Sequence, residues 1–565
     1  MSFNGRSKVD LKTNVQSGIE PHPLVVVGAG ISGLVCANKL ARAGFGVSLI
    51  EQNNKVGGLS QGWERKIRLQ NGERVRATFD LTHVVAEFLP GERWFELFRE
   101  FGVDWGRVGR FTASKKVACL MAPDGEFYEI LNGFEESRQQ FKALYPSEVP
   151  NIDRYFALLE NIHVQFQGPR FRKKGWQRTL EAVLGPALEK YYIPSALLSL
   201  ITKPQFVKWH KHTQSELIDA FFSNEQIKKH LSLVSDYMGL PPSRASGLMM
   251  CLVLLSFWKS KGPVFPADGS YQKMHDELAR ALVECNGGTV HLGTTATGIS
   301  VSQNKVTGVE LKQRQNDVPR FVIAETVVIA SDMKKMLLPL AAHLPQKYLK
   351  KLTEMKMAIS FLSVLMVVAR DGLQLDGRYA DYASNMIVSS TDALEVENSR
   401  GFPDVYHIIV SFPSLVRPGA GHVSTLSGQP LDQYLRIDLS MKCPSHEMWV
   451  NLLNRDKTAY KATKAEYVAQ MIDIVERRML PGLKSALQYE ISFTSATMER
   501  YCSVSEGSVY GFEQTPEQFP PYRMSPWTPI KGLYATGAGT LAGGIAGVVA
   551  AGERTADIVI RERRL

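Results

Sequence analysis

The sequence has little of what marks a secreted, disulfide-linked or membrane-spanning protein. Its 565 residues include only six cysteines, with no Cys-x-x-Cys pair and no Cys/His ligand spacing, so neither a disulfide framework nor a zinc site is expected. The longest apolar run, 248–258, contains Ser256 and falls short of the roughly 18 residues that a membrane-spanning helix needs. Residues 1–20 contain no apolar stretch of the signal-peptide type, and we expect a flexible tail in a protein that is not secreted.

The chain also lacks the common signatures of nucleophilic and metal catalysis. It has no Ser-His-Asp spacing, no nucleophile elbow and no metal motif, so no metal ligand is predicted. His83, Glu87, His275 and Asp276 are candidate acid–base groups, but a structural or solvent-facing role is expected for each, and the catalytic residues stay unknown. A second G-x-G-x-x-G in a strand–helix setting is missing, which argues against a built-in NADPH domain of the glutathione reductase type.

Basic residues exceed acidic ones, 66 to 56, for a formal net charge of +10, and an apolar content of 44% is enough for a sizeable core. Basic residues mixed with aromatics occupy 170–178 and 203–212, near the apolar runs 191–201 and 248–258. The pattern fits a surface that docks on anionic lipid, and equally a solvated helix face beside ordinary core. The expected location is cytoplasmic, with peripheral membrane contact under the first interpretation. No nucleic-acid module is present, so no nucleic-acid partner is expected.

A dinucleotide-binding pattern begins at residue 24. Its parts, in order, are a buried apolar strand (Leu24–Val27), the glycines of a G-x-G-x-x-G turn (Gly28, Gly30 and Gly33), an amphipathic helix (31–41), a second strand (Val47–Ile50) and an acidic residue (Glu51). The glycines alone are weak evidence, but the full combination predicts a Rossmann-type nucleotide site.

Each part of this pattern has a physical reason. Gly28 permits the tight turn, Gly30 lets the backbone approach a pyrophosphate, and Gly33 lets the helix pack closely on the strand. The helix N-terminus offers free amides and a positive dipole end to the phosphates. Glu51 is placed to accept hydrogen bonds from a ribose diol. The Gly57-Gly58 pair brings backbone amides against a cofactor, which favours FAD over a nicotinamide nucleotide.

Later segments are predicted to complete the same domain. They are a lead-in at 265–270, a helix at 274–283, strands at 289–292, 296–300, 305–311 and 320–330, a last strand at 532–535, a glycine-rich turn at 536–547 and a helix at 548–560. The second glycine turn with a helix behind it is where a flavin ring edge and its phosphate arm would be received.

On these motifs the chain resembles the FAD-dependent phytoene desaturase, carotenoid isomerase and retinol saturase family, a branch of the amine-oxidase-like flavoproteins. The segments that carry the resemblance are VVVGAGISGL with Glu51 and Gly57-Gly58, Asp268-Gly269 through GGTVHLGTTATGI, 411–415 with Pro418-Gly419, 506–511, 528–534 and 539–547. Together they cover most of residues 23 to 560. The family pattern is broken at Ala538, at 541–544 and at Ala496-Thr497, although Arg500-Tyr501 is retained.

The resemblance implies a set of FAD-binding residues. Residue by residue, it implies the pyrophosphate at Gly28, Gly30, Ser32 and Gly33, the adenosine ribose at Glu51, the phosphate or flavin side at Gly57, Gly58 and Leu59, the adenine at the backbone of Ala296, and the isoalloxazine at Gly539, Gly543, Ile545 and Ala546.

The expected fold is α/β, with a discontinuous Rossmann-like FAD-binding domain and an inserted mixed α+β substrate domain. The predicted FAD-binding segments are 21–90, 265–335 and 490–565, behind a tail at 1–20, and the predicted substrate-binding or membrane-facing segments are 91–264 and 336–489. The first insertion is helical in its apolar period.

The leading hypothesis is an FAD-dependent desaturase, saturase or isomerase that acts on carbon–carbon bonds of a long apolar, polyene-like small molecule, as carotenoids and retinoids are. Electrons would pass to oxygen or a quinone, come from an external donor, or return to the substrate. Two alternatives stay open: a flavin amine oxidase, and a non-enzymatic binder of lipidated partners like the Rab GDP-dissociation inhibitors. Basic charge in the first insertion weighs against an amine substrate, and the intact glycines and Glu51 weigh against a protein without flavin.

Overall fold

A five-stranded parallel sheet joins distant parts of the chain in the computed structural model. The model describes residues 24–80, 86–166, 204–266, 270–314, 319–381, 386–390, 402, 406–416 and 422–564. In spatial order the strands are β20 (Leu533–Ala535), β13 (Thr326–Ile329), β1 (Leu24–Val27), β2 (Val47–Ile50) and β9 (Thr289–His291). All residues of β1, β2, β13 and β20 are buried, as short apolar strands covered on both faces should be. The predicted strands at 24–27 and 47–50 are confirmed to the residue.

The five-stranded parallel sheet is called the nucleotide-type sheet here, and a second, seven-stranded sheet is called the large sheet. In order its strands are β19 (Leu487–Phe493), β14 (Phe361–Ala369), β18 (Tyr434–Lys442), β16 (His407–Ser411), β15 (Met386–Ser389), β6 (Lys116–Met121) and β7 (Phe127–Leu131). Neighbouring strands are antiparallel except β15 and β6. The first insertion, predicted from its period to be helical, therefore also supplies two strands to this sheet, because the short runs of β6 and β7 carry no helical or alternating signal long enough to distinguish them.

The remaining described strands form three smaller sheets. They are β10 (Thr294–Ser302) with β11 (Lys305–Gln313) and β12 (Pro319–Ile323), then β3 (Gly62–Arg68) with β4 (Arg74–Asp80) and β17 (Val423–Ser424), and β5 (Phe111–Ala113) with β8 (Val264–Pro266). The single strand predicted at 320–330 is thus two strands, because the chain turns at 324–325 and changes sheets.

α-Helices cover one face of the parallel sheet, whose other face packs mainly against the β10–β12 sheet. The α-helices of the described residues are α1 (Ile31–Arg42), α2 (Arg93–Phe101), α3 (Trp105–Val108), α4 (Phe134–Leu144), α5 (Val149–Phe166), α6 (Pro204–Trp209), α7 (Gln214–Asp219), α8 (Glu225–Ser232), α9 (Gly247–Trp258), α10 (Gln272–Arg280), α11 (Met333–Leu337), α12 (Gln346–Glu354), α13 (Pro413–Val416), α14 (His446–Arg455), α15 (Lys457–Arg478), α16 (Leu483–Ala486), α17 (Ser495–Cys502) and α18 (Ile545–Arg564). A π-helical turn, Ala281–Cys285, extends α10. The helix predicted at 548–560 begins three residues earlier, since the turn already ends at Gly544, whose φ is +79°.

The apolar run at 248–258 belongs to the protein core. All residues of α9 except Leu252 and Ser256 are buried, and the helix packs against α5 and α7. This run therefore offers no apolar face to a membrane, and the ordinary-core interpretation is right for it. Among the described residues, none of the helices combines the length and apolar character that a membrane crossing requires.

The basic stretches are only partly visible. The cluster at 170–178, the run at 191–201 and Lys203 lie outside the described residues, as do the tail, His83, Asp268-Gly269 and Pro418-Gly419. In the described part of the second stretch, Trp209 is buried, and the Lys208 ammonium lies 4.7 Å from the centroid of its ring. His210 Nε2 lies 3.1 Å from the Tyr522 hydroxyl. These aromatic groups pack against the protein itself.

A buried ionic group connects the two halves of the fold. The Arg436 guanidinium on β18 donates to both carboxylate oxygens of Asp438, at 3.1 and 2.5 Å, and to the backbone oxygen of Asp80 on β4, at 3.1 Å. The Asp80 carboxylate accepts from the Ser270 hydroxyl and from the Tyr271 amide, just before α10. Burial raises the pKa of Asp80, and Arg436 opposes that effect. The large sheet, the β3–β4 hairpin and α10 are therefore fixed to one another.

Replacing Arg436 by Leu should lower the free energy of unfolding by about 3–5 kcal/mol, because two buried carboxylates lose their cation. Urea unfolding measures the change. The matched control is Arg378→Leu, which removes an arginine from a half-exposed pair with Asp376 and should cost at most about 1 kcal/mol. Equal losses in the two variants would contradict the structural role given to the buried group.

Candidate functional site

One cavity of about 2030 Å³ runs between the parallel sheet and the large sheet. All of the predicted FAD-binding residues line it except Gly33: Gly28, Gly30, Ser32, Glu51, Gly57, Gly58, Leu59, Ala296, Gly539, Gly543, Ile545 and Ala546. Its volume exceeds the roughly 300–1,000 Å³ of a typical small-molecule site, so a second molecule has room beside a dinucleotide.

Three glycines shape the turn before α1. Gly28 has a φ of +107°, and a Cβ at Gly33 would lie 2.0 Å from the Gly28 carbonyl oxygen. Gly33 thus serves close helix packing and does not reach the cavity. A Cβ at Gly30 would meet nothing within 4 Å, so the space in front of this residue is open. No side chain caps α1, and its free amides and positive dipole end are available to an anion there.

Glu51 stands at the carboxyl end of β2, as the sequence predicts, and is 5% exposed. Its Oε2 accepts a hydrogen bond from the Ala29 amide at 3.0 Å, and its Oε1 accepts from the Asn53 amide at 2.8 Å. Burial raises the pKa of Glu51, whereas these two amides lower it. Each carboxylate oxygen keeps a second lone pair, so Glu51 can still accept from a ribose hydroxyl.

The Gly57-Gly58 loop is held against the first glycine turn by main-chain contacts and by a buried histidine. The Gly57 amide donates to the Ala29 oxygen at 2.8 Å, and a Cβ at Gly58 would lie 3.1 Å from Gly30 Cα. Behind the loop, His275 Nε2 lies 2.9 Å from the Ser60 hydroxyl. Burial lowers the pKa of His275 to about 4, so the imidazole is neutral near pH 7. His275 is therefore a positioning residue for this loop.

The closing glycine turn meets α1 from the other side. The Thr536 hydroxyl lies 3.0 Å from the Ser32 hydroxyl, and a Cβ at Gly539 would lie 2.4 Å from Met333 Sδ. Arg523 supports the turn from behind: its Nε donates to the Ala538 oxygen at 2.7 Å. Its remaining donors bind backbone oxygens of 512, 513 and 518. Burial lowers the pKa of Arg523 to about 9.

The part of the cavity wall to which the large sheet and α9 contribute is mainly apolar, and it is called the apolar chamber here. Its lining residues there are Tyr237, Met249, Leu252, Val253, Phe257, Met357, Phe361, Ile409, Phe493, Phe519 and Leu541, together with the hydroxyls of Ser363 and Ser440. The sequence analysis did not identify these residues as a site. Side chains of a strand such as β14 point alternately to its two faces, but the sequence does not show which face lines a cavity, because that depends on tertiary packing.

The other candidate acid–base groups are placed as follows. Glu87 lines the cavity, and burial raises its pKa. Asp276 accepts a hydrogen bond from Gln272 Nε2 at 2.8 Å and does not line the cavity. In the described segments, no group of three or more His, Cys, Asp or Glu side chains is arranged to hold a metal ion.

Comparison with known proteins identifies a Rossmann-like domain and similar folds. Residues 26–101 match the NAD(P)-binding Rossmann-like domain family. The fold is similar to that of an oxidoreductase from Methanosarcina mazei (TM-score 0.56, 14% identity, 94% of this chain and 99% of that one). It is also similar to cyclohexylamine oxidase from Brevibacterium oxydans IH-35A (TM-score 0.53, 15% identity, 96% and 100%). The predicted α/β fold, with a Rossmann-like domain at its N-terminal end, is confirmed.

Two relatives are similar in sequence over most of the chain. The chain is 22% identical over 560 residues to all-trans-retinol 13,14-reductase of Danio rerio, covering 96% of this chain and 86% of the relative. It is 21% identical over 542 residues to 4,4'-diaponeurosporene oxygenase of Staphylococcus aureus (strain MW2), covering 94% and 97%. The predicted resemblance to the carotenoid and retinol saturase group is confirmed.

Replacing His275 by Gln should make stability less dependent on pH. The folded-state pKa of about 4 lies below the ordinary 6.5, so His275 stabilises the fold fully above pH 6.5 and progressively less as pH falls toward 4. Between pH 6 and 4.5, the unfolding free energy of the variant should vary less steeply than that of the wild type, by up to about 1.4 kcal/mol per pH unit. Urea unfolding across this range measures both slopes, and identical slopes would contradict a buried neutral His275.

Proposed function

We propose that the protein is an FAD-dependent oxidoreductase that desaturates, saturates or isomerises carbon–carbon bonds of a long apolar, polyene-like substrate such as a carotenoid or retinoid. One observation carries the proposal: a single cavity joins a nucleotide-type turn to an apolar chamber. The relatives named above, a retinol reductase and a diaponeurosporene oxygenase, support a polyene as the substrate class.

The residues present fit FAD. Gly30 leaves open space before an uncapped helix N-terminus, Glu51 keeps acceptor capacity, and the Gly57-Gly58 loop closes the side of this space. The closing turn, with Gly543 and Ile545, lines the same cavity. These are the residues to which the sequence analysis assigns the pyrophosphate, the ribose and the isoalloxazine.

Within this arrangement the chain positions and shields the reactants. A bound flavin supplies hydride exchange with carbon. Gly28, Gly30 and the α1 amides would bind the pyrophosphate, and Glu51 would orient the ribose. The Arg523-supported turn would hold the ring edge, while Phe361, Phe493 and their neighbours exclude water and place an extended carbon chain.

The chamber wall favours an apolar substrate over an amine. Its described lining residues on the large sheet are Phe361, Ser363, Ile409, Ser440 and Phe493, none of which carries a negative charge for an ammonium group. For the electrons we propose the same routes as above: transfer to oxygen or a quinone, supply by an external donor, or return to the substrate. We also propose peripheral membrane contact, which would give access to an apolar substrate. The division into FAD-binding and substrate-binding segments given above is a proposal as well.

Replacing Gly30 by Ala should reduce flavin retention at least tenfold, which is about 1.4 kcal/mol. The added methyl group fits the protein but occupies the space that a pyrophosphate would approach. Flavin-to-protein ratio after purification and FAD affinity by fluorescence quenching measure the loss.

The control is Gly377→Ala, since Gly377 also has open space around a Cβ and an ordinary φ, but lies outside the cavity. Both variants should unfold within about 0.5 kcal/mol of the wild type. Normal flavin content in Gly30→Ala would contradict the assigned pyrophosphate site.

Anaerobic titration tests the reaction itself. Flavin absorbance of the oxidised protein should bleach on addition of a dihydro-polyene, or that of the pre-reduced protein should return on addition of a polyene such as all-trans-retinol. Benzylamine and putrescine should leave the absorbance unchanged. Reduction by the amines with no response to any polyene or dihydro-polyene would overturn the proposed function.

A further inference from the structure

A row of side chains crosses the large sheet and faces the chamber. The strand register places Phe493 of β19, Ser363 of β14, Ser440 of β18 and Ile409 of β16 side by side, because Ser363 pairs with both Phe493 and Ser440, and Ser440 pairs with Ile409. All four line the cavity. The centre of this row is thus a pair of hydroxyl groups between apolar neighbours.

The two hydroxyls do not satisfy each other completely. Ser363 Oγ and Ser440 Oγ are 2.8 Å apart and share one hydrogen bond, which uses one of their two protons. Neither hydroxyl has a further hydrogen bond among the described residues. One donor and several lone pairs are therefore left for a molecule in the chamber.

A third hydroxyl, that of Tyr510, belongs to a ring that contacts Phe361. Phe361 is two residues from Ser363 on the same face of β14, and its ring centroid lies 6.4 Å from that of Tyr510. Tyr510 lines the cavity beside the closing turn, where a Cβ at Gly543 would lie 2.8 Å from Tyr510 Cβ. Its hydroxyl has no hydrogen bond to any described residue, and burial raises its pKa to about 12, so it is a neutral donor.

We propose that Ser363, Ser440 and Tyr510 form a polar subsite that binds a neutral oxygen function, an alcohol or an aldehyde, on the otherwise apolar substrate. The inference rests on the proposed function and specifies its substrate class. A pure hydrocarbon would leave the second proton of the serine pair and the Tyr510 hydroxyl without a partner, which is unfavourable, whereas an oxygenated chain end would pair them. A carboxylate is disfavoured at this row because its four side chains, Phe493, Ser363, Ser440 and Ile409, include no cation.

The test compares matched probes on the flavin-loaded protein. The probes are all-trans-retinol, all-trans-retinal, all-trans-retinoic acid and the hydrocarbon in which hydrogen replaces the retinol hydroxyl. Dissociation constants come from quenching of protein fluorescence, without turnover. Wild type should bind the alcohol and the aldehyde more tightly than the hydrocarbon and the acid.

The double variant Ser363→Ala/Ser440→Ala should bind retinol about 5- to 20-fold more weakly, with binding of the hydrocarbon changed less than about twofold. Tyr510→Phe should shift preference in the same direction. The control is Ser492→Ala, since Ser492 is next to Phe493 on β19 but does not line the cavity, and its affinities should equal those of the wild type.

The outcomes separate the two proposals. Equal affinities of wild type for alcohol and hydrocarbon, or equal losses for both probes in the double variant, would overturn the polar subsite and leave the flavin enzyme with an apolar substrate. Failure of the flavin-loaded wild type to bind any of the four polyenes would overturn the polyene function and, with it, the subsite.

Discussion

The close main-chain approach around the N-terminus of α1 is the constraint on which the rest of the structure depends. A Cβ at Gly33 would lie 2.0 Å from the Gly28 oxygen, and one at Gly552 of α18 would lie 2.5 Å from the Ser32 oxygen. The Gly57 loop approaches the same turn through the Ala29 oxygen. Segments far apart in sequence therefore meet at backbone distance, which leaves the α1 amides facing one open space. This packing creates the open space in which we propose that the nucleotide binds.

Buried ion pairs hold in place the cavity wall that the large sheet forms. Arg436 and Asp438 lie on the same face of β18 as Ser440, and Asp80 of β4 binds Arg436 there. Because Asp80 also binds the residues just before α10, the sheet wall cannot shift relative to the nucleotide-type sheet without breaking buried ion pairs. The apolar chamber thus keeps a fixed distance from the first glycine turn. Such rigidity suits a reaction in which two bound molecules must be aligned.

The sequence predicts best what is determined locally. The bounds of β1 and β2 and the positions of Glu51 and Gly33 follow from short apolar runs and glycine spacing, and the structure agrees with them. The membrane interpretation of 248–258 failed for that run because composition does not say whether an apolar helix faces core or lipid. The pairing of Ser363 with Ser440 depends on a register between strands about 75 residues apart, which no local pattern contains. The FAD-binding roles follow from motif and resemblance, and the shared cavity supports them.

An experimental structure of the flavin-loaded protein with a bound retinoid alcohol tests the central claim most directly, namely that one cavity holds a flavin and an apolar substrate side by side. The account predicts the pyrophosphate at the N-terminus of α1, the ring at the turn that contains Gly543, and the retinoid chain against the large sheet. A flavin bound elsewhere, or a retinoid bound outside the chamber lined by Phe361 and Phe493, would contradict it.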